Sequence, residues 1–260
     1  MEFQVATDVF DEILEKHMNN KDLCRHIKEK VRAEVNRSQQ PGLSTTDSIA
    51  YGGDYVISFC KDYDSPLMWS AYSDYTGYCI QFDFDKLLND LSMDETTGLL
   101  HGEVVYNREE QRHLIEKTIT RSCFNWNKGF EYLKTWEDLD KLTESNIDDW
   151  KKYIGLELTA YNMFFKLPCF EGEHEYRFVF MLGHDGGRYK PEQLWKQHFI
   201  VKDEVLIPFI IVPLKSIDSI ERVLVGAKNK SDIALKGVQY FFRNLKHDTI
   251  VEKSQMPLRY

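Results

Sequence analysis

Phe170-Glu-Gly-Glu-His-Glu-Tyr-Arg-Phe-Val-Phe-Met-Leu182 is the stretch on which both the fold and the candidate site turn. From Tyr176 onward aromatic and apolar residues crowd together, which predicts a strand over 176–182. Ahead of it, carboxylates alternate at 171, 173 and 175. If the strand begins at Glu173, a period of two puts Glu173, Glu175 and Arg177 on one face. His174, Tyr176 and Phe178 then take the other. Two carboxylates beside a guanidinium make either a salt-bridge cluster or a site, and the pattern leaves both open.

Outward from this segment, further β-rich runs stand at 55–60, 78–82, 102–106, 205–212 and 222–225, with a short one at 249–251. Helical spacing governs the beginning of the chain. Val5, Val9, Phe10, Ile13, Leu14 and Met18 repeat at three and four, as do Leu23, Ile27, Val31 and Val35. Ser65 and Pro66 open a short helix carrying Met68, Trp69 and Tyr72. Helices are also predicted over 83–93 and from Ser231 to about 243. Between 108 and 165 no strand pattern occurs, and two or three helices are expected there. The stretch 38–53 reads as an exposed loop. The expectation is one α+β domain over 1–260, with a helical N-terminal part and loop over 1–50. Its single mixed, largely antiparallel sheet runs through Ile57, Ile80, Val179, Ile210 and Leu224, with a helical insertion at about 108–165.

Composition bounds the function. The 260 residues are 42% hydrophobic and 29% charged, which excludes a disordered or low-complexity chain. A net charge of −9 argues against bulk electrostatic binding to nucleic acid or anionic membrane. Residues 226–260 are nonetheless basic, with seven Lys/Arg against three Asp/Glu, and keep a nucleic-acid-processing reading open. Residues 136–149 hold six carboxylates against Lys141, either a solvated helix face or a docking surface for a basic protein. No apolar run reaches the roughly 18 residues of a spanning helix, and the start lacks the basic-then-apolar order of a signal peptide. Five widely spaced cysteines without a C-x-x-C pair predict reduced thiols in a cytoplasmic protein.

The common cofactor motifs are absent, among them the P-loop, the dinucleotide fingerprint and H-E-x-x-H. Gly183-His-Asp-Gly-Gly187 reads as a hairpin turn. The histidines show no metal spacing, the nearest approach being His174 and His184 with Glu173 or Asp185, and no metal is expected. Cys60 and Cys79 read as small buried hydrophobes, and Ser58 has no local base. Met68, Trp69 and Tyr72 form either an aromatic wall or ordinary packing on the sheet.

Ser58, Met68-Trp69, Tyr72, Gly77-Tyr-Cys-Ile-Gln-Phe82, Glu173-His-Glu-Tyr-Arg177 and Ser254-Gln-Met-Pro-Leu-Arg259 share their order and spacing with a bacterial family. From about Tyr55 to its end, the chain resembles that domain of unknown function, DUF family 2971. Members open with an aromatic strand, a helix and Asn-Asp-Pro-x-Glu, whereas this chain opens Met1-Glu2-Phe3. The family's first strand is therefore expected to be absent, with the first helix packed against the sheet edge left open. The complete pattern in turn resembles that of ADP-ribosyltransferases. The resemblance implies an NAD-using transferase-like or glycohydrolase-like enzyme, with NAD as substrate. It makes Glu175 and Ser58 catalytic and gives substrate binding to Trp69, Tyr72, Arg177 and Glu173, all converging on one cleft. The alternative is a non-catalytic module that binds a nucleotide or a peptide with the same residues; a nucleic-acid-processing enzyme is third.

Overall fold

The computed structural model describes residues 4–39, 54–91, 97–124, 133–182, 197–202, 204–229 and 232–256. In chain order the elements are α1 (Val5–His17), α2 (Lys21–Gln39), β1 (Asp54–Cys60), α3 (Pro66–Tyr72), β2 (Tyr78–Phe82) and α4 (Phe84–Asp90). There follow β3 (Thr97–Glu103), α5 (Arg108–Ile119), α6 (Glu144–Asn162), β4 (Glu175–Leu182), β5 (Gln197–Lys202) and β6 (Val205–Ile210). The last are β7 (Ile220–Val225), α7 (Asp232–Asn244) and β8 (Ile250–Lys253). Two compact units result: Met1–Phe59 with Thr96–Tyr189, and Cys60–Glu95 with Lys190–Tyr260.

The first unit is built on helices. Asn107 starts α5 by accepting from the backbone N–H groups of Glu109 and Glu110. Thr143 and Asn146 form a reciprocal capping box at the start of α6. α2 packs along α6, and α1 packs against α5 and α6. Phe10, Ile13, Leu14, Ile27, Ile115 and Trp150 meet in one buried core. At the α2–α6 contact a Cβ on Gly155 would lie 2.8 Å from Glu34 Cγ, so this glycine permits the close approach. Asn162 ties the two ends of the bundle together. Its Oδ1 accepts from the Ala6 N–H at 2.8 Å, and its Nδ2 donates to Thr7 Oγ1 at 3.0 Å.

Two expectations change here. The helices over 108–165 share one core with the N-terminal helices instead of standing aside as an insertion. Likewise α1 lies among helices, not along an open sheet edge. Its buried face takes in Val5, Ala6, Thr7, Val9, Phe10, Asp11, Ile13 and Leu14, too wide a face for one neighbour to cover.

The first unit's sheet has the order β1-β4-β3, and β4 pairs antiparallel with β3 through Leu100↔Val179 and Gly102↔Arg177. A central position explains why Phe178, Val179 and Phe180 are buried in succession. In the second unit the order is β2-β7-β8, antiparallel at Ile80↔Val223 and parallel at Val223↔Val251, while β5 and β6 form a separate hairpin. The α+β class holds. The single sheet is instead three: Ile57 and Val179 share one, Ile80 and Leu224 another, and Ile210 belongs to the hairpin. Alternation identifies a strand but not its partner. β3 lies earlier than the expected 102–106, and β5 was not anticipated. Of the expected loop 38–53 all but the first two residues, and the whole turn 183–187 with His184, lie outside the described residues.

Burial grades the thiols. Cys24 and Cys123 are buried, Cys60 and Cys79 half-buried and Cys169 exposed. Burial pushes the Cys123 thiol far above its ordinary pKa. Maleimide labelling of the native chain, read by mass spectrometry, should modify Cys169 first and reach Cys24 and Cys123 only on unfolding. Early modification of Cys123 would contradict this packing.

Candidate functional site

Pro168 opens a short 3-10 turn, Pro168–Glu173, and its ring holds Leu167 extended. His174 ends the turn in the left-handed region, at φ 42°. The chain reverses there, so β4 starts at Glu175, one residue before the run expected over 176–182 and two after the alternative start at Glu173. Glu173 therefore reaches the cluster from the turn, and Glu175 with Arg177 from the strand.

Lys166, placed between α6 and the turn, lies between the two carboxylates. Its Nζ is 2.5 Å from Glu173 Oε2 and 3.0 Å from Glu175 Oε1. Arg177 Nε donates to Glu175 Oε2 at 2.7 Å, and its Nη1 to the Met163 carbonyl at 2.7 Å. Ser58 Oγ, from β1, donates to the same Glu175 Oε2 at 3.4 Å. Tyr106 Oη accepts from the Glu175 N–H at 3.1 Å. The Phe170 ring flanks the Lys166 ammonium, 4.7 Å from centroid to Nζ. Lys166, Glu175 and Arg177 are all buried. Glu175 is thus a carboxylate clamped between two cations.

The surroundings drive the two carboxyls apart. Burial raises the Glu173 pKa, its hydrogen bond with Glu175 raises it further, and Lys166 offsets this only in part. For Glu175 burial also acts upward, but the bonds from Glu173 and Lys166 and the charge of Arg177 outweigh it and hold the group below the usual carboxylate range. Glu173 takes up the proton first and Glu175 stays charged. Such a split pair is the raw material of acid–base chemistry; it is equally the composition of a buried ion network.

Ser58, Glu173, Glu175 and Arg177 are brought together within the first unit. Trp69 and Tyr72 belong to the second unit. Trp69 is 4% exposed, and its Nε1 donates to Asp64 Oδ1 at 2.6 Å. Ser254 Oγ donates to that same oxygen at 2.7 Å. Asp64, at φ 56°, therefore joins the turn after β1 to the segment following β8. Tyr72, by contrast, is 68% exposed.

The acidic run is largely committed inside the first unit. Asp140 accepts from the Asn19 and Asn20 N–H groups. Glu144 pairs with Lys30 and His26, Asp148 with Lys30 and Lys151, and Asp138 with Lys141. Among the described residues, no group of three or more His, Cys, Asp or Glu side chains is placed to hold a metal ion. No helix among them is long and apolar enough to cross a membrane.

The sequence reading missed Lys166, Tyr106 and Asp64. Only Lys166 carries a local signal, as a lysine inside the apolar stretch Met163-Phe-Phe-Lys-Leu167.

Residues 68–178 match the model of a family described as "Protein of unknown function (DUF2971)". The DUF2971 match takes in Trp69, Tyr72, Glu173, Glu175 and Arg177 but neither Ser58 nor Ser254, so it is narrower than the resemblance read from the sequence. No curated protein and no solved structure matches the chain. The likeness to ADP-ribosyltransferases has no counterpart in these comparisons.

Proposed function

We propose that Ser58, Glu173 and Glu175 form a carboxylate site that cleaves the nicotinamide–ribose bond of NAD, of glycohydrolase type. The observation that carries this reading is the split pair, with Glu175 kept charged by Lys166 and Arg177. A fixed carboxylate stabilises the positive charge that develops on the anomeric carbon. The C–N bond breaks with its electron pair passing to the nicotinamide ring, and water adds at the anomeric carbon. Glu175 or solvent takes the proton that this water gives up. Glu173, held by Lys166, accepts from a ribose hydroxyl, and Ser58 reaches the Glu175 carboxylate from the neighbouring strand β1.

One observation favours a second reading. Each Glu175 oxygen already has partners within the chain, Lys166 on one and Arg177 with Ser58 on the other. That suits a non-catalytic module binding a nucleotide or a peptide.

Nicotinamide release from NAD separates the two. Glu173→Gln keeps the shape of the side chain but removes the charge that strengthens its bond to the substrate. It should therefore keep the fold while losing about tenfold in rate, the scale of one hydrogen bond. Ser58→Ala should lose about as much. NAD binding by calorimetry without release supports the module; neither binding nor release rejects NAD altogether.

A further inference from the structure

Helix α7 faces two ways. Its inner side, with Phe242 buried and Ala234, Leu235 and Val238 half-buried, packs on β7 and β8. Its outer side exposes Ile233 (79%), Tyr240 (64%) and Phe241 (57%), with Gly237 between them. Glycine is among the least favourable residues for an exposed position in mid-helix. A Cβ at Gly237 would meet nothing within 4 Å, so no packing within the described chain calls for a glycine there. A bare Cα does provide a point where a second helix axis can come close.

We infer that α7 is the interface of a homodimer in which two copies cross antiparallel at Gly237. Charge selects this occupant and this direction. At 100° per residue, Asp232, Lys236 and Arg243 fall within about 40° of one another, on one flank of the apolar stripe. In a twofold antiparallel pair, each flank meets the same flank of the other copy. With the axis at the level of residues 237 and 238, Asp232 lies opposite the partner's Arg243, and the pair occurs twice. A parallel pair would instead set this flank against the opposite, apolar flank of the other copy and leave Asp232 and Arg243 without a charged counterpart. Thirteen residues of helix make a small contact, below the roughly 800 Å² per partner of a standard interface. The dimer is therefore reversible and concentration-dependent.

Sedimentation velocity on the full chain over a range of concentrations tests this. The expected result is a shift from the mass of one chain to that of two. Asp232→Arg should weaken the dimer about tenfold or more, and Asp232→Arg combined with Arg243→Asp should restore most of it. Gly237→Arg should abolish the dimer while raising the melting temperature, because it replaces glycine in an exposed helix. That gain also shows that the variant folds. A chain that stays monomeric at every concentration overturns the proposal. So does a dimer indifferent to Asp232→Arg and Gly237→Arg, or a charge swap that restores nothing. A monomer that binds anionic phosphatidylglycerol vesicles through Ile233 and Phe241 overturns it too, and assigns the face to a lipid surface.

Discussion

Glu175→Gln is expected to cost about 3–5 kcal/mol of folding stability, the scale of a buried ion pair deprived of one partner. The substitution keeps the shape of the side chain but removes the charge from between Lys166 and Arg177. Those two buried cations then lose the carboxylate they share, while Lys166 keeps its pairing with Glu173. Adding Lys166→Met should return part of the loss, because one cation leaves with its carboxylate. The double variant should fall short of the sum of the singles by about 1–3 kcal/mol. Urea unfolding measures all three chains, and strict additivity would show that the cluster is not a unit. The acid dependence carries the same signature. Glu175 has a lowered pKa, so its contribution is present above the ordinary glutamate value of about 4.3 and is lost as pH falls through the lower folded value. Glu173 has the opposite sign: its contribution is present below that ordinary value and lost as pH rises through the raised one. In Glu175→Gln the loss of stability toward acid should be shallower. Because this variant disturbs folding, Ser58→Ala and Glu173→Gln are the cleaner variants for turnover.

Trp150→Ala should be comparably severe, at about 4–5 kcal/mol. The side chain is fully buried in α6, and its ring lies 5.9 Å from that of Phe10. Its Nε1 donates to Ser122 Oγ at 2.9 Å. Removing the indole opens a large cavity among α1, α2 and α6 that their backbones cannot collapse to fill. It also takes the indole N–H away from Ser122 Oγ, which keeps its bond to the Ile119 carbonyl. Trp150→Phe keeps most of the volume and should lose about 1–3 kcal/mol. Circular dichroism on heating reads the effect, since α1, α2, α5 and α6 share this core. A loss under 1 kcal/mol for the alanine variant would mean that the helices over 108–165 are cored separately after all.

What the sequence made legible was local. α1 and α2 were readable because their apolar residues recur at three and four over several turns. β1, β2, β4 and β7 were readable because apolar and β-branched residues cluster between turn signals. Pairing was not, since nothing in Ile80 says that Val223 lies opposite. The candidate cluster was half legible. Glu175 and Arg177 followed from the period of the strand, but the left-handed His174 changed how Glu173 arrives. Lys166 comes from beyond the strand altogether, and its contact with Glu175 depends on where α6 ends. Trp69 was conspicuous as a residue type, yet its partner Asp64 was invisible because Ser254, which shares it, stands 190 residues away.

The chain leaves the first unit after Phe59, builds part of the second up to Glu95, returns, and comes back only at Lys190. On a ribosome this order becomes a delay. Gln81 of β2 and its neighbour Glu221 of β7 are 140 residues apart. At about 5–20 residues per second, β2 waits roughly 7–30 s for the strand that completes it. Throughout that interval Tyr78 and Ile80 sit on a nascent strand with both edges open to other chains. The length of the exposure is set by how fast the ribosome translates codons 83 to 219, most of which encode the helices and sheet of the other unit.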